Sequence, residues 1–169
     1  FQNEGEATFT AAVEKYPDRF PQTVETLKEN DVNLYSDMDA MYSNHPEINI
    51  TAIGTGIPLH YPMAKRALEH GSHVFLAKPS CPLIQQVDEL TQIEKEKKRI
   101  LAVDFQHIHS EGAQAIKKSV VSNDLGKIER ITARLIWHRN SGYYQRNSWA
   151  GKYKMDDTYV LDGPMNNPH

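Results

Sequence analysis

The sequence predicts an α/β protein: a doubly wound parallel sheet, lacking its first strand and Gly-rich turn, followed by the start of an α+β domain with an open, largely antiparallel sheet. Three observations carry this reading. Between residues 48 and 105, short β-branched runs alternate with segments of helical period, and parallel neighbours need such crossovers. The first two runs end in Thr55-Gly56-Ile57-Pro58 and Lys78-Pro79, whose glycine and prolines interrupt regular structure. Beyond Gly126 the pattern changes to apolar residues alternating with cations, the two-faced signature of a strand with one side exposed.

In chain order, residues 1–30 are polar with scattered apolar positions, and Pro17 and Pro21 divide two short helical pieces without a strong strand. Ser36 followed by Asp39 has the form of a capping box and opens a short helix carrying Met38, Met41 and Tyr42, ended by His45-Pro46. Residues 48–54 are the first clear strand, running into Thr55-Gly56-Ile57-Pro58. A helix is expected from near Pro62, a favoured first-turn residue, with Met63, Ala64, Ala67 and Leu68 on one face and Gly71 as its stop. Residues 73–77 form a second strand ending at Lys78-Pro79. Leu83, Val87, Leu90 and Ile93 recur at helical spacing on a helix with a charged tail, and residues 100–105 make a third strand. Ser110 with Glu111 caps a further helix with Ala113, Ile116 and Val120 inward, stopped at Asn123-Asp124-Leu125-Gly126. Ile131, Ala133, Leu135 and Trp137 then alternate as a half-exposed strand. The division expected is residues 1–125 for the parallel-sheet domain and 126–169 for the start of the second.

Composition removes several function classes. Lys and Arg number 19 against 22 Asp and Glu, a net charge of −3, so there is no cationic surplus to hold a nucleic acid. One cysteine, Cys81, cannot make an internal disulfide, and no apolar stretch approaches the roughly 20 residues that span a bilayer. A protein of the cytoplasm is expected. At 39% the hydrophobic content is lean for a sheet covered on both faces, and the chain opens on Phe1 and stops just after Gly163-Pro164; a piece of a longer protein is expected.

Ligands of a doubly wound sheet bind at the carboxyl ends of its strands. That rule selects Thr55-Gly56-Ile57-Pro58-Leu59-His60 and Ala77-Lys78-Pro79, one crossover apart and therefore on one edge. The run TGIPLHYPMAKRALEHGSHVFLAKP, from Thr55 to Pro79, resembles the Gfo/Idh/MocA family of NAD(P)-dependent oxidoreductases. That family's pattern is a Thr-Pro-x-x-x-His loop, an Ala-x-x-Ala-Leu helix, Gly-x-His-Val and Glu-Lys-Pro. Thr55, His60, Ala64, Ala67, Leu68, Gly71, His73, Val74, Lys78 and Pro79 fall in register with it. Gly126-Lys127-Ile128 is similar to the family's lead into its C-terminal sheet, and the likeness runs from about Val32 to Asp162. The sequence departs from the pattern where Ala77 replaces the Glu and where Asn166, four positions after Asp162, replaces a His. No G-x-G-x-x-G occurs; in the family that turn precedes the position of Phe1.

The resemblance implies a Rossmann-like domain that binds NAD or NADP and a hydride transfer to or from a hydroxyl of a sugar, sugar acid or cyclitol. Lys78 then takes the catalytic role, bonding the hydroxyl and accepting its proton, with Asp162 beside it. Thr55, Gly56, Ile57, His60, Lys78, Pro79 and Gln106 are the expected cofactor contacts. Lys78, Arg139, Tyr144, Trp149, Asp162 and Asn166 are the expected substrate contacts, since rings stack on sugar C–H faces and Arg or Asn bind hydroxyls. Read without the resemblance, Lys78 is a solvated turn lysine, His60 a helix-entry residue, Asp162-Gly163 a turn, and residues 137–149 an oligomer contact. No metal is expected, because His107-x-His109 lacks a completing carboxylate or cysteine. Two other functions stay open, a regulatory member that binds dinucleotide or sugar without turnover, and an NAD-assisted glycosidase. The partners expected are a sugar or polyol and, at full length, further copies of the chain in a dimer or tetramer, with no nucleic acid and no membrane.

Overall fold

The computed structural model describes residues 5–134, 136 and 138–160. Its centre is a parallel sheet of three strands, β3 (Ile50–Ile53), β4 (His73–Ala77) and β5 (Leu101–Asp104), in the order β3-β4-β5. Helices α3 (Ile57–Glu69) and α4 (Ile84–Lys97) are the crossovers. The register sets Ile53 beside Leu76, Leu76 beside Val103 and Ala77 beside Asp104, so all three strands deliver their carboxyl ends to one edge.

The inner sheet face carries Ile53, Val74 and Leu76, which bury against Ala64, Ala67 and Leu68 of α3 and Leu90 of α4. Ala64 and Ala67 let the helix backbone approach the strands. Complete burial of a side chain such as Leu68 or Leu76 contributes about 1.5–3 kcal/mol. Between α3 and α4 the Lys65 ammonium donates to Glu89 at 2.5 Å and the Tyr61 hydroxyl donates to the same carboxylate at 2.6 Å. These two bonds, Lys65 first, hold the Glu89 carboxyl below its ordinary value.

The first 30 residues are less plain than their sequence suggests. Of the two helical pieces expected on either side of Pro17 and Pro21, the second is α1 (Pro21–Glu29); the dividing segment is a 3₁₀ turn (Pro17–Arg19), and the stretch before it holds β1 (Ala11–Val13), which pairs in parallel with β2 (Asn33–Tyr35), a pair the polar pattern did not announce. Three residues each show no period, and among the described residues the two strands form a sheet of their own. Helix α2 (Met38–Asn44) packs Met38, Met41 and Tyr42 into the common core. Its cap is Asp37, whose Oδ1 accepts from the Ala40 N–H at 2.8 Å, rather than Ser36. Asp39 instead pairs with Arg66 of α3 at 2.5 Å.

Two further expectations shift. Helix α3 starts at Ile57, with Pro58 in the first turn and Pro62 inside, while Gly71 ends it at φ +85° as expected. Ser110 caps α5 (Glu111–Val121) by accepting from the Ala113 N–H at 3.3 Å, but Ile116 and Val120 face solvent rather than a core. Residues 127–134 form no strand, since no described strand lies alongside to pair with them, and Ile131 is exposed; Leu135 and Trp137 lie outside the described residues. Beyond them come α6 (Ser141–Gln145) and an antiparallel hairpin, β6 (Lys154–Met155) with β7 (Thr158–Tyr159). Among the described residues no helix is long and apolar enough to cross a membrane.

Candidate functional site

The strand-end edge gathers three short segments. After β3 the chain turns through Gly54, Thr55 and Gly56 into α3; after β4 it passes Lys78 and a cis peptide to Pro79; after β5 it enters a 3₁₀ turn (Gln106–His109). Thr55 is exposed, Lys78 half-buried and Gln106 exposed, so their side chains remain available. Ile57 is 3% exposed and its side chain belongs to the interior, leaving its backbone for any ligand.

His60 differs most from expectation. It lies in the first turns of α3 with its ring 1% exposed. Nδ1 is 2.7 Å from the carbonyl of Pro79 and Nε2 is 3.0 Å from the carbonyl of Thr55. The ring is committed to the two loops instead of presenting itself to a ligand. The sequence carried no signal for this, because it placed the helix start near Pro62, whereas α3 begins at Ile57 and so takes His60 into its first turn.

Residues 138–160 meet this edge through Trp149. A Cβ placed on Gly56 would stand 3.6 Å from the Trp149 indole Nε1. Trp149 in turn lies under the Arg146 guanidinium at 5.3 Å, and Tyr143 is flanked by Arg139 at 4.3 Å and Arg146 at 3.9 Å. Tyr144 packs edge-on against Tyr143 and crowds Gly151, where φ is +72° and a Cβ would sit 2.5 Å from the Tyr144 ring. Of the expected substrate contacts, Trp149 is therefore brought to the edge, while Arg139 and Tyr144 join it through the Tyr143 stack. Asp162 and Asn166 lie outside the described residues.

Asp104 was not singled out by the sequence, although it ends β5 as Ala77 ends β4. The register pairs the two, so a half-buried carboxylate stands beside the alanine that replaces the family's Glu. Burial pushes the nearby Cys81 thiol up to about 11, which leaves it un-ionised and unreactive at neutral pH. Among the described residues no group of His, Cys, Asp and Glu could hold a metal ion.

A nicotinamide cofactor fits this edge on one observation. A Cβ at Gly54 would meet nothing within 4 Å, so the turn offers open backbone there to a flat ligand at the strand ends, with the Trp149 indole beside it at Gly56.

The chain is similar to known proteins. The chain is 28% identical over 109 residues to the uncharacterized oxidoreductase YhhX of Escherichia coli, covering 64% of this chain and 31% of that protein. It is 32% identical over 77 residues to the D-glucoside 3-dehydrogenase of Escherichia coli, 46% of this chain and 22% of the enzyme. The WlbA dehydrogenase of Bordetella pertussis, solved with NADH and UDP-GlcNAcA, superposes with a TM-score of 0.79 at 20% identity, covering 89% of this chain and 42% of that one. The chain thus spans about a third of the length of YhhX. Residues 1–105 match the model of the Gfo/Idh/MocA oxidoreductases, described by their NAD-binding Rossmann fold. With the parallel sheet and its strand-end loops in the places that fold requires, the chain belongs to the Gfo/Idh/MocA oxidoreductase family.

Proposed function

We propose that this chain carries the nicotinamide-facing edge of an NAD(P)-dependent oxidoreductase acting on a hydroxyl of a sugar, sugar acid or cyclitol. The observation that carries it is Lys78, which leaves the carboxyl end of β4 half-buried, beside the loop that His60 joins to the Thr55–Gly56 turn. When bound, NAD(P) supplies the hydride acceptor or donor. Thr55, Gly56, the Ile57 backbone, Pro79 and Gln106 form its contacts in this reading. Lys78 Nζ bonds the substrate hydroxyl and takes its proton, and Asp162 assists in orienting that hydroxyl. Trp149 offers a face for the sugar ring, with Arg139, Tyr144 and Asn166 toward its hydroxyls. The sugar chemistry of D-glucoside 3-dehydrogenase and of the WlbA complex supports this choice of substrate. The substrate segment begins in a second domain near Gly126, in a cytoplasmic protein that assembles as a dimer or tetramer.

The test is Lys78→Ala in the full-length protein. Turnover of the best substrate from a sugar and polyol panel falls by at least about a hundredfold, the scale of lost acid–base catalysis, while NADH binding followed by fluorescence persists. Near-normal kcat would remove Lys78 from the chemistry. A second reading, dinucleotide or sugar binding without turnover, draws support from Ala77 at the end of β4, where the family carries Glu. Binding of NADH with no turnover on any panel member would favour it.

A further inference from the structure

Asp104 ends β5, a position that its residue type disfavours. The side chain is half-buried, and among the described residues no hydrogen bond or ion pair engages the carboxylate, not even from the turn that follows, Gln106–His109. A carboxylate that has given up part of its water without gaining a donor costs the fold stability. A ligand carrying donors would offset that cost. The place of Asp104 in the sheet says which ligand. The register sets Ala77 beside it, and Gly54, one residue past Ile53, extends the same row. Ile53 and Leu76 turn inward to α3 and α4, so the residues after them, and Asp104 beside Ala77, face the other way. Gly54 brings no side chain and Ala77 a methyl, so the row leaves space beside the acid at the strand ends, where a dinucleotide binds.

We propose that Asp104 is a cofactor-binding residue whose carboxylate accepts from the ribose hydroxyls of the nicotinamide nucleoside. Lys78 directly follows Ala77, so the part of the dinucleotide beside Asp104 is the part closest to the reacting hydroxyl. That nucleoside offers a vicinal pair of ribose hydroxyls and one carboxamide. The diol matches the two oxygens of a carboxylate, and hydroxyl-to-carboxylate bonds are short and strong. The inference rests on the reading that puts the nicotinamide at this edge beside Lys78. It makes Asp104 a determinant of affinity for the oxidised and the reduced cofactor alike, because the ribose is the same in both.

Four ligands locate the contact by titration calorimetry on the full-length protein. Asp104→Ala weakens NADH and NAD⁺ by about tenfold each, the scale of one charge-assisted hydrogen bond. ADP-ribose, which keeps that ribose without the nicotinamide, loses the same factor, and ADP, which lacks the ribose, binds as it does to the wild type. Asp104→Asn preserves the shape and an accepting oxygen without the charge, and it follows the same order of ligands with a loss of about threefold. An equal loss for ADP would assign the effect to the fold or to the general field of the edge. A loss confined to NAD⁺ would assign it to the positive ring, and a loss for NADH that spares ADP-ribose would assign it to the carboxamide. Each of these overturns the ribose contact, as does unchanged NADH binding in Asp104→Ala, which leaves Lys78 to its own test. No turnover enters these measurements, so the failure of Lys78 as a base leaves the contact to be decided by binding alone. A wild-type protein that binds none of the four ligands overturns the cofactor edge itself.

Discussion

Tyr42 shows how much a single buried hydroxyl can organise. It is 4% exposed, its ring stacks on His70 with centroids 4.3 Å apart, and its hydroxyl lies 2.7 Å from Thr51 Oγ1. Thr51 lies 2.8 Å from Ser72 Oγ, which donates to the His73 carbonyl, so the protons run in one direction from Tyr42 to the β4 backbone. Burial raises the Tyr42 pKa above its ordinary 10.0. In the unfolded chain the phenol ionises first, so the Tyr42 contribution to stability is flat below pH 10 and is lost above it, as the folded protein retains a proton the unfolded one has lost; the raised Cys81 and Tyr61 add slopes of the same sign. Denaturant unfolding between pH 8 and 11 reads the sum. Tyr42→Phe makes that slope shallower and costs about 1 kcal/mol at pH 8, because Thr51 keeps Ser72 as a partner. A slope unchanged in Tyr42→Phe would assign the titration to the other groups. At this scale the sequence was legible where chemistry is written in residue type. Lys78 and Gly56 stand out at strand ends, whereas the burial of the His60 ring between carbonyls 19 residues and five residues away depends on loop geometry that no spacing encodes.

Among the elements, α3 carries an internal conflict. Pro62 lies within the helix, so its ring removes the bond that residue 62 would make to the carbonyl of Pro58. The sequence placed Pro62 at a helix start because prolines favour that position, yet Pro58 is closer to the actual start and serves it as well. Pro62 is exposed. Pro62→Ala restores the backbone bond and stabilises the fold by up to about 3 kcal/mol, the usual scale of an interior helix proline. A melting comparison checks this, and an unchanged or lower Tm would show that the helix depends on the ring. The strands and helices between 48 and 105 were readable because each is long enough to show its period. Strands β1 and β2 were not, since Ala11-Ala12-Val13 and Asn33-Leu34-Tyr35 gain strand character from each other rather than from their own residues. The reverse occurred at Ile131, where alternation was present and no strand among the described residues pairs with it.

At the scale of the molecule, the described residues cover the parallel sheet on one side only. Helices α3 and α4 lie over Ile53, Val74 and Leu76. The opposite face presents Ile50, Ala52, Phe75 and Ala102 to solvent, with Ala52, Phe75 and Ala102 side by side in the register and Phe75 48% exposed. Ile116 and Val121 of α5 are exposed as well. Parallel sheets are stable when both faces are buried, and a contiguous apolar face in water favours association. The 169-residue polypeptide studied by itself is therefore expected to bind the dye anilinonaphthalene sulfonate and to self-associate with rising concentration in sedimentation velocity. Phe75→Lys places a charge at the centre of that face, where a lysine has solvent for its ammonium and disturbs no buried contact. It reduces both dye binding and association while leaving the far-ultraviolet circular dichroism in place. A polypeptide that stays monomeric and dark with the dye would mean that its own residues cover this face, α5 being the element long and apolar enough to do so.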